Sequence, residues 1–167
     1  MKVNIEIERS IVVPLPYQKL QPLLSNPEAT IGRMPKLKRL VKLGENTYRL
    51  EMRTVGSRLA NIAHDVSFGA KFHVNADHGE LRWDPVPGQG NALISGYFRI
   101  ARSSDDTDLR FRVWGELRDV PIPLLYRMVA PPFIQGKFTR MVDTFLEQTR
   151  EDLIKGKAAR HAKKHGG

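Results

Sequence analysis

A chain of 167 residues, 41% hydrophobic and 27% charged, has the size and composition of one folded domain with enough apolar material for a core. The absence of cysteine excludes a disulfide framework, a thiolate metal site and a cysteine nucleophile, and it fits a reducing compartment. The net charge of +9 is uneven: Lys155, Lys157, Arg160, Lys163 and Lys164 supply five of the nine charges, which leaves +4 for residues 1–154.

Residues 3–13 read as a strand, because Val3, Ile5 and Ile7 share one face against Asn4, Glu6 and Glu8. This opening alternates, unlike a signal peptide, and no later run approaches a membrane span, so a soluble cytoplasmic protein is expected. Pro14 and Pro16 end the strand, and a short helix carries Leu20, Leu23 and Leu24 on one side. Ser25 and Glu28 match a capping box for a second short helix, with Pro27 in its first turn and Pro35 stopping it near Met34.

From Lys36 the period becomes two. Tyr48, Leu50 and Met52 alternate with Arg49, Glu51 and Arg53 after a turn at residues 44–46, and residues 55–61 are irregular. Val66, Phe68, Ala70, Phe72 and Val74 form one face of the next strand. A turn near Asp77-His78-Gly79 leads to Leu81 and Trp83, and Pro85–Gly90 is a loop. Residues 91–102 place Ala92, Ile94, Gly96, Phe98 and Ile100 together, and Leu109, Phe111, Val113 and Gly115 mark the last strand. Val120–Pro132 predicts a short helix bounded by prolines, either the mouth of a cavity or a fixed cap on the core.

Ile134, Phe138, Met141, Val142, Phe145 and Leu146 then recur in steps of three and four, which predicts one long helix from Pro132 to Gly156. Residues 156–167 have no large apolar side chain and read as a basic, disordered tail outside a single domain of residues 1–155. Short turns between strands imply an antiparallel sheet wrapped around the terminal helix, an α+β domain.

This order of elements resembles the helix-grip fold of the START/polyketide-cyclase superfamily. The stretch at residues 26–52 is similar to the carbon monoxide dehydrogenase G-like branch, with Asn26-Pro27-Glu28, Met34-Pro35 and Tyr48 in the corresponding places. The resemblance implies a hydrophobic cavity between sheet and helix, and it supplies no catalytic signature.

Strand parity collects the candidate ligand-binding side chains on the inward face: Phe68, Phe72, Trp83, Phe98 and Phe111, joined by Phe138, Met141 and Phe145 of the long helix. These could line a cavity for a lipid, isoprenoid quinone or polycyclic aromatic, or simply pack as core. His64 is the one ionisable side chain with inward parity, and thus the candidate acid–base residue for a cyclase- or dehydratase-like enzyme. It is also placed to be a rim histidine in water, and Asp65 points away from it, which argues for binding over catalysis. No cofactor or metal motif is present.

The outward face gathers Tyr97, Arg99, Arg110, Arg112 and Trp114, with Lys71 and His73 nearby. Such a mixture could hold nucleic acid, bury Trp114 in an oligomer contact, or form a solvated face with cation–π pairs. The basic tail could add contact with an anionic surface by charge alone.

Overall fold

The computed structural model describes the backbone of residues 1–55 and 64–165, and the side chains of residues 1–53 and 65–156. Strand β1 spans Val3–Val13 and is followed by three single-turn helices, α1 (Tyr17–Leu20), α2 (Pro22–Ser25) and α3 (Pro27–Ile31). Six strands come next: β2 (Leu37–Gly44), β3 (Thr47–Val55), β4 (His64–Asn75), β5 (Glu80–Val86), β6 (Ala92–Ser103) and β7 (Asp106–Leu117). The chain closes in a long helix, α4 (Ala130–His165).

All seven strands form one antiparallel sheet in the order β1-β7-β6-β5-β4-β3-β2. Hairpins join β2 through β7 in sequence, and β1 returns to the far side of β7, where Val3 faces Leu117 and Val13 faces Thr107. The α+β helix-grip architecture expected from the sequence is what the chain forms, with α4 against the inner sheet face. Alternation decides which side chains meet it: Leu50 and Met52 of β3, Phe68 and Phe72 of β4, Trp83 of β5, Phe98 of β6 and Phe111 of β7 are all buried.

The turns follow local chemistry. Gly79 takes a left-handed conformation at φ 60°, and a Cβ there would lie 2.6 Å from both the Ile100 carbonyl and the Tyr17 hydroxyl, so only glycine fits. Asn46 and Ser104 take the same conformation in the β2–β3 and β6–β7 turns.

Several boundaries differ from the sequence reading. Asn26, not Ser25, caps α3: its Oδ1 accepts from the Ala29 N–H at 3.2 Å, while Ser25 ends α2 and donates back to the Pro22 carbonyl. Helix α3 ends at Ile31, a turn before Pro35. Val74, next to the end of β4, shares parity with Phe72 yet is 45% exposed.

The long helix begins two residues earlier than expected and continues to His165, where the sequence reading expects a structureless tail. Gly156 is therefore inside the helix rather than past its end. Its 36 residues would measure about 54 Å. The buried stripe, Ala130, Ile134, Phe138, Met141, Val142, Phe145, Leu146 and Thr149, occupies the N-terminal part. Between Val120 and α4 the expected helix is a single 3₁₀ turn at Leu124–Tyr126; Leu124, Leu125, Met128 and Val129 face outward, while Val120, Ile122 and Ala130 at the two ends are buried in the core.

Candidate functional site

The inner face of the sheet, α3 and the first half of α4 enclose one apolar void. It is walled by Ile5 of β1, Leu50 and Met52 of β3, Phe68, Ala70 and Phe72 of β4, Trp83, Ile94, Phe111 and Val113 across β5 to β7, Phe138, Met141 and Val142 of α4, and Ile31 and Met34 around the end of α3. No charged or hydroxyl side chain is among these residues. The one polar atom in the wall, the Trp83 indole nitrogen, donates to the Ile94 carbonyl at 3.0 Å and is satisfied.

The void measures about 30 Å³. That is far below the several hundred Å³ of an open ligand pocket, so the walls are closed on one another. What closes them is an aromatic stack. Phe72 and Trp83 lie 5.8 Å apart, and Trp83 and Phe111 5.9 Å apart. Phe111 contacts Phe98 at 4.6 Å and Phe145 at 5.5 Å, and Phe98 meets Phe145 at 5.4 Å. Gly96 makes room for this stack: it pairs with Trp83 across β5 and β6, and a Cβ on Gly96 would collide with the indole ring.

The sequence-derived candidates therefore divide. Phe68, Phe72, Trp83, Phe111, Phe138 and Met141 converge on the void. Phe98 and Phe145 are buried one layer behind it, against Phe111. His64 begins β4, paired with Val55, but its side chain lies outside the described residues. Parity on β3 signals Leu50 and Met52 as further wall residues. Met34 carries no such signal, because it follows an irregular turn rather than a periodic element. Among the described residues, no three His, Cys, Asp or Glu side chains gather as a metal site.

Polar groups around α3 are tied to structure. The Tyr48 hydroxyl donates to Glu28 Oε2 at 3.3 Å, and burial, then the neighbouring carboxylate, holds its pKa above the usual tyrosine range. Arg33 of the α3 turn meets Asp152 of α4 at 3.1 Å.

The outer face proves to be a mesh of internal pairs. Arg112 donates to Glu6 at 2.9 Å, Arg99 to Glu80 at 2.6 Å, and Arg110 lies 3.7 Å from Glu8. His73 lies 3.0 Å from Asp84. Arg99 covers the Tyr97 ring at 3.8 Å, Arg112 stacks on Trp114 at 4.8 Å, and Tyr97 is thereby buried on a face that parity directs to water. These arginines are engaged by acids and rings of their own sheet, the arrangement of a solvated face rather than of a phosphate track.

No protein-family model matches the sequence, and no curated protein sequence does. Solved structures do match. A protein from Thermus thermophilus superposes with a TM-score of 0.66 at 14% identity, covering 90% of this chain and 98% of that one. A START superfamily protein from Mycobacterium smegmatis gives 0.58 at 17% identity, covering 89% and 98%. An aromatase/cyclase from a Streptomyces species gives 0.58 at 13% identity, covering 98% and 99%. The narrower likeness to the carbon monoxide dehydrogenase G-like branch is not part of what these matches show. At such identities they establish architecture: the chain has the helix-grip fold of START and aromatase/cyclase structures.

Proposed function

We propose that this chain is a cytoplasmic, non-enzymatic binding protein for a small, uncharged hydrophobic molecule, of the lipid, isoprenoid quinone or polycyclic aromatic class, taken up between the sheet and α4. The observation that carries this reading is the wall chemistry. A void whose described wall residues carry no charged or hydroxyl group offers a ligand apolar contact and little else. The fold shared with a START protein and an aromatase/cyclase supports it.

The void must widen to admit such a ligand, so ligand-free protein is a closed form. A cyclase-like enzyme on the same scaffold would need an acid or base facing its substrate, and among the described residues no wall side chain provides one. The binding reading is therefore preferred to the enzymatic one.

Native mass spectrometry of the purified protein, with extraction and identification of any bound small molecule, tests the proposal. A stoichiometric hydrophobic adduct that Phe138→Asp abolishes while the protein stays folded is the expected result. A bare mass, together with no saturable uptake of a quinone or polycyclic aromatic probe, would refute it.

A further inference from the structure

The most exposed apolar side chains of the described structure sit together in one turn. Between β7 and α4, Leu124 is 78% exposed, Leu125 91%, Met128 92% and Val129 55%. An isolated exposed leucine needs no explanation, but four large apolar side chains within six residues do. The turn is not loose chain. Val120 and Ile122 on one side, and Ala130 and Ile134 on the other, are buried anchors, and the Val120 N–H donates to the Met1 carbonyl at 3.0 Å. The protein therefore holds an apolar tip out on two fixed feet.

The backbone of the tip suits a medium without water. Pro121, Pro123, Pro131 and Pro132 have no N–H to satisfy. The amides of Tyr126, Arg127, Val129 and Phe133 donate to carbonyls of Pro123, Leu124, Tyr126 and Val129, all within the segment. These internal bonds and the four prolines reduce the number of amides the tip would carry out of water, although those of Leu124, Leu125 and Met128 have no partner within the segment and need one at the headgroup level. Charge points the same way. No acidic residue occurs from Val120 to Val142, whereas Arg127, Lys137 and Arg140 are cationic. Four exposed apolar side chains are also few against the roughly 20–30 residues each partner gives a stable protein interface, so a second copy fits the tip less well.

We propose that the Leu124–Val129 turn inserts into the headgroup–acyl boundary of an anionic bilayer, with Arg127 at the phosphate level. The depth is that of an interfacial anchor, on the order of 5–10 Å, and no span is involved. Among the described residues no helix is long and apolar enough to cross a membrane. This surface is separate from the apolar void, and the inference stands whether or not the void takes a ligand.

The test is co-sedimentation of the full chain with vesicles of phosphatidylcholine alone, or of phosphatidylcholine with roughly one third phosphatidylserine. The parent protein is expected to partition onto the anionic vesicles. A Leu125→Glu/Met128→Glu double variant is expected to lose at least about tenfold in partitioning, and Arg127→Gln about fivefold on anionic vesicles only. Because these side chains face water, both variants should melt at the parent temperature. The chain has no cysteine, so Met128→Cys can carry a single environment-sensitive fluorophore, whose emission should shift to the blue on the anionic vesicles.

Failure of the parent to bind anionic vesicles would overturn the proposal. So would binding that the double glutamate variant retains, which would assign the effect to the basic C-terminal segment. A concentration-dependent dimer lost in that variant, without vesicle binding, would assign the tip to a second copy and equally overturn it.

Discussion

Phe111→Ala is the sharpest probe of the void, because this ring is both wall and keystone. It is fully buried and contacts Phe98, Phe145 and Trp83 at centroid distances of 4.6, 5.5 and 5.9 Å. Returning such a side chain to water costs about 2–3 kcal/mol in transfer free energy. If the neighbours hold their places, removal opens on the order of 100 Å³, worth about 2.4 kcal/mol at ~24 cal/mol per Å³. The total, about 4–5 kcal/mol, sits at the upper end of measured Phe→Ala losses and within the ~5–15 kcal/mol of a typical domain. The variant should fold and melt roughly 10–20 °C lower. The new space adjoins the existing void and is lined by apolar side chains, a dry cavity of the kind that takes up benzene. Calorimetry with and without benzene checks both halves: a large loss of stability, partly restored by saturating benzene. A loss below about 1 kcal/mol, or one that benzene leaves untouched, would mean that the stack collapses and that the wall is not rigid.

Three further outcomes are expected. Gly96→Ala forces the Trp83 indole toward the void, so it should cost about 1–3 kcal/mol and reduce uptake of any apolar probe, read by denaturant titration and probe binding. Thr30→Val removes the buried hydroxyl that donates to the Leu23 carbonyl at 2.7 Å, and should cost about 1–2 kcal/mol in the same titration. Hydrogen bonds from Arg39 at 2.7 and 3.1 Å, then the charge of Arg39 and Arg49, hold the Glu51 carboxyl below its usual range. A lowered folded-state pKa gives stability that is present above the unfolded value and lost as pH falls through the folded one. The deficit of Glu51→Gln relative to the parent should therefore be full at neutral pH, begin to shrink as pH falls below the unfolded carboxylate value of about 4.3, and vanish only once pH has passed the lower folded value, in urea titrations run across pH.

Period-two patterning made most of the sheet legible, because a strand with one buried face must alternate. Tyr48, Leu50 and Met52, or Leu109, Phe111 and Val113, leave little choice of face. The same rule could not show depth. Phe98 has the parity of Phe111 but lies behind it, since the position of a wall residue depends on the facing helix. Tyr97 has the parity of the outer face, yet its burial under Arg99 depends on a neighbour that periodicity does not weigh. Helix ends were harder, because Ser25 and Asn26 are both good caps and Gly156 is compatible with a helix interior as well as with its end. The exposed tip was invisible, because Leu124, Leu125 and Met128 have the composition of a cap and only the fold turns them outward.

The way the void opens follows from how α4 is seated. The helix backbone runs closest to β1 and only lightly meets β3, and the void extends from Ile5 of β1 to Leu50 and Met52 of β3, where Phe138 and Met141 of α4 face the less tightly held side. Widening there means parting α4 from α3 and β3 rather than lifting it from β1. Near α3, the Arg33–Asp152 ion pair at 3.1 Å ties α4 to the moving side. Both side chains are partly exposed, at 28% and 36%, so the pair contributes little to global stability, about 0–1 kcal/mol. Its effect should fall instead on opening. Arg33→Ala is expected to leave the unfolding free energy within about 1 kcal/mol of the parent while raising the uptake rate of an apolar probe roughly fivefold in stopped-flow fluorescence. An unchanged rate at unchanged stability would place the route to the void elsewhere on its rim, and a collapse of stability would show that the pair belongs to the core of the fold.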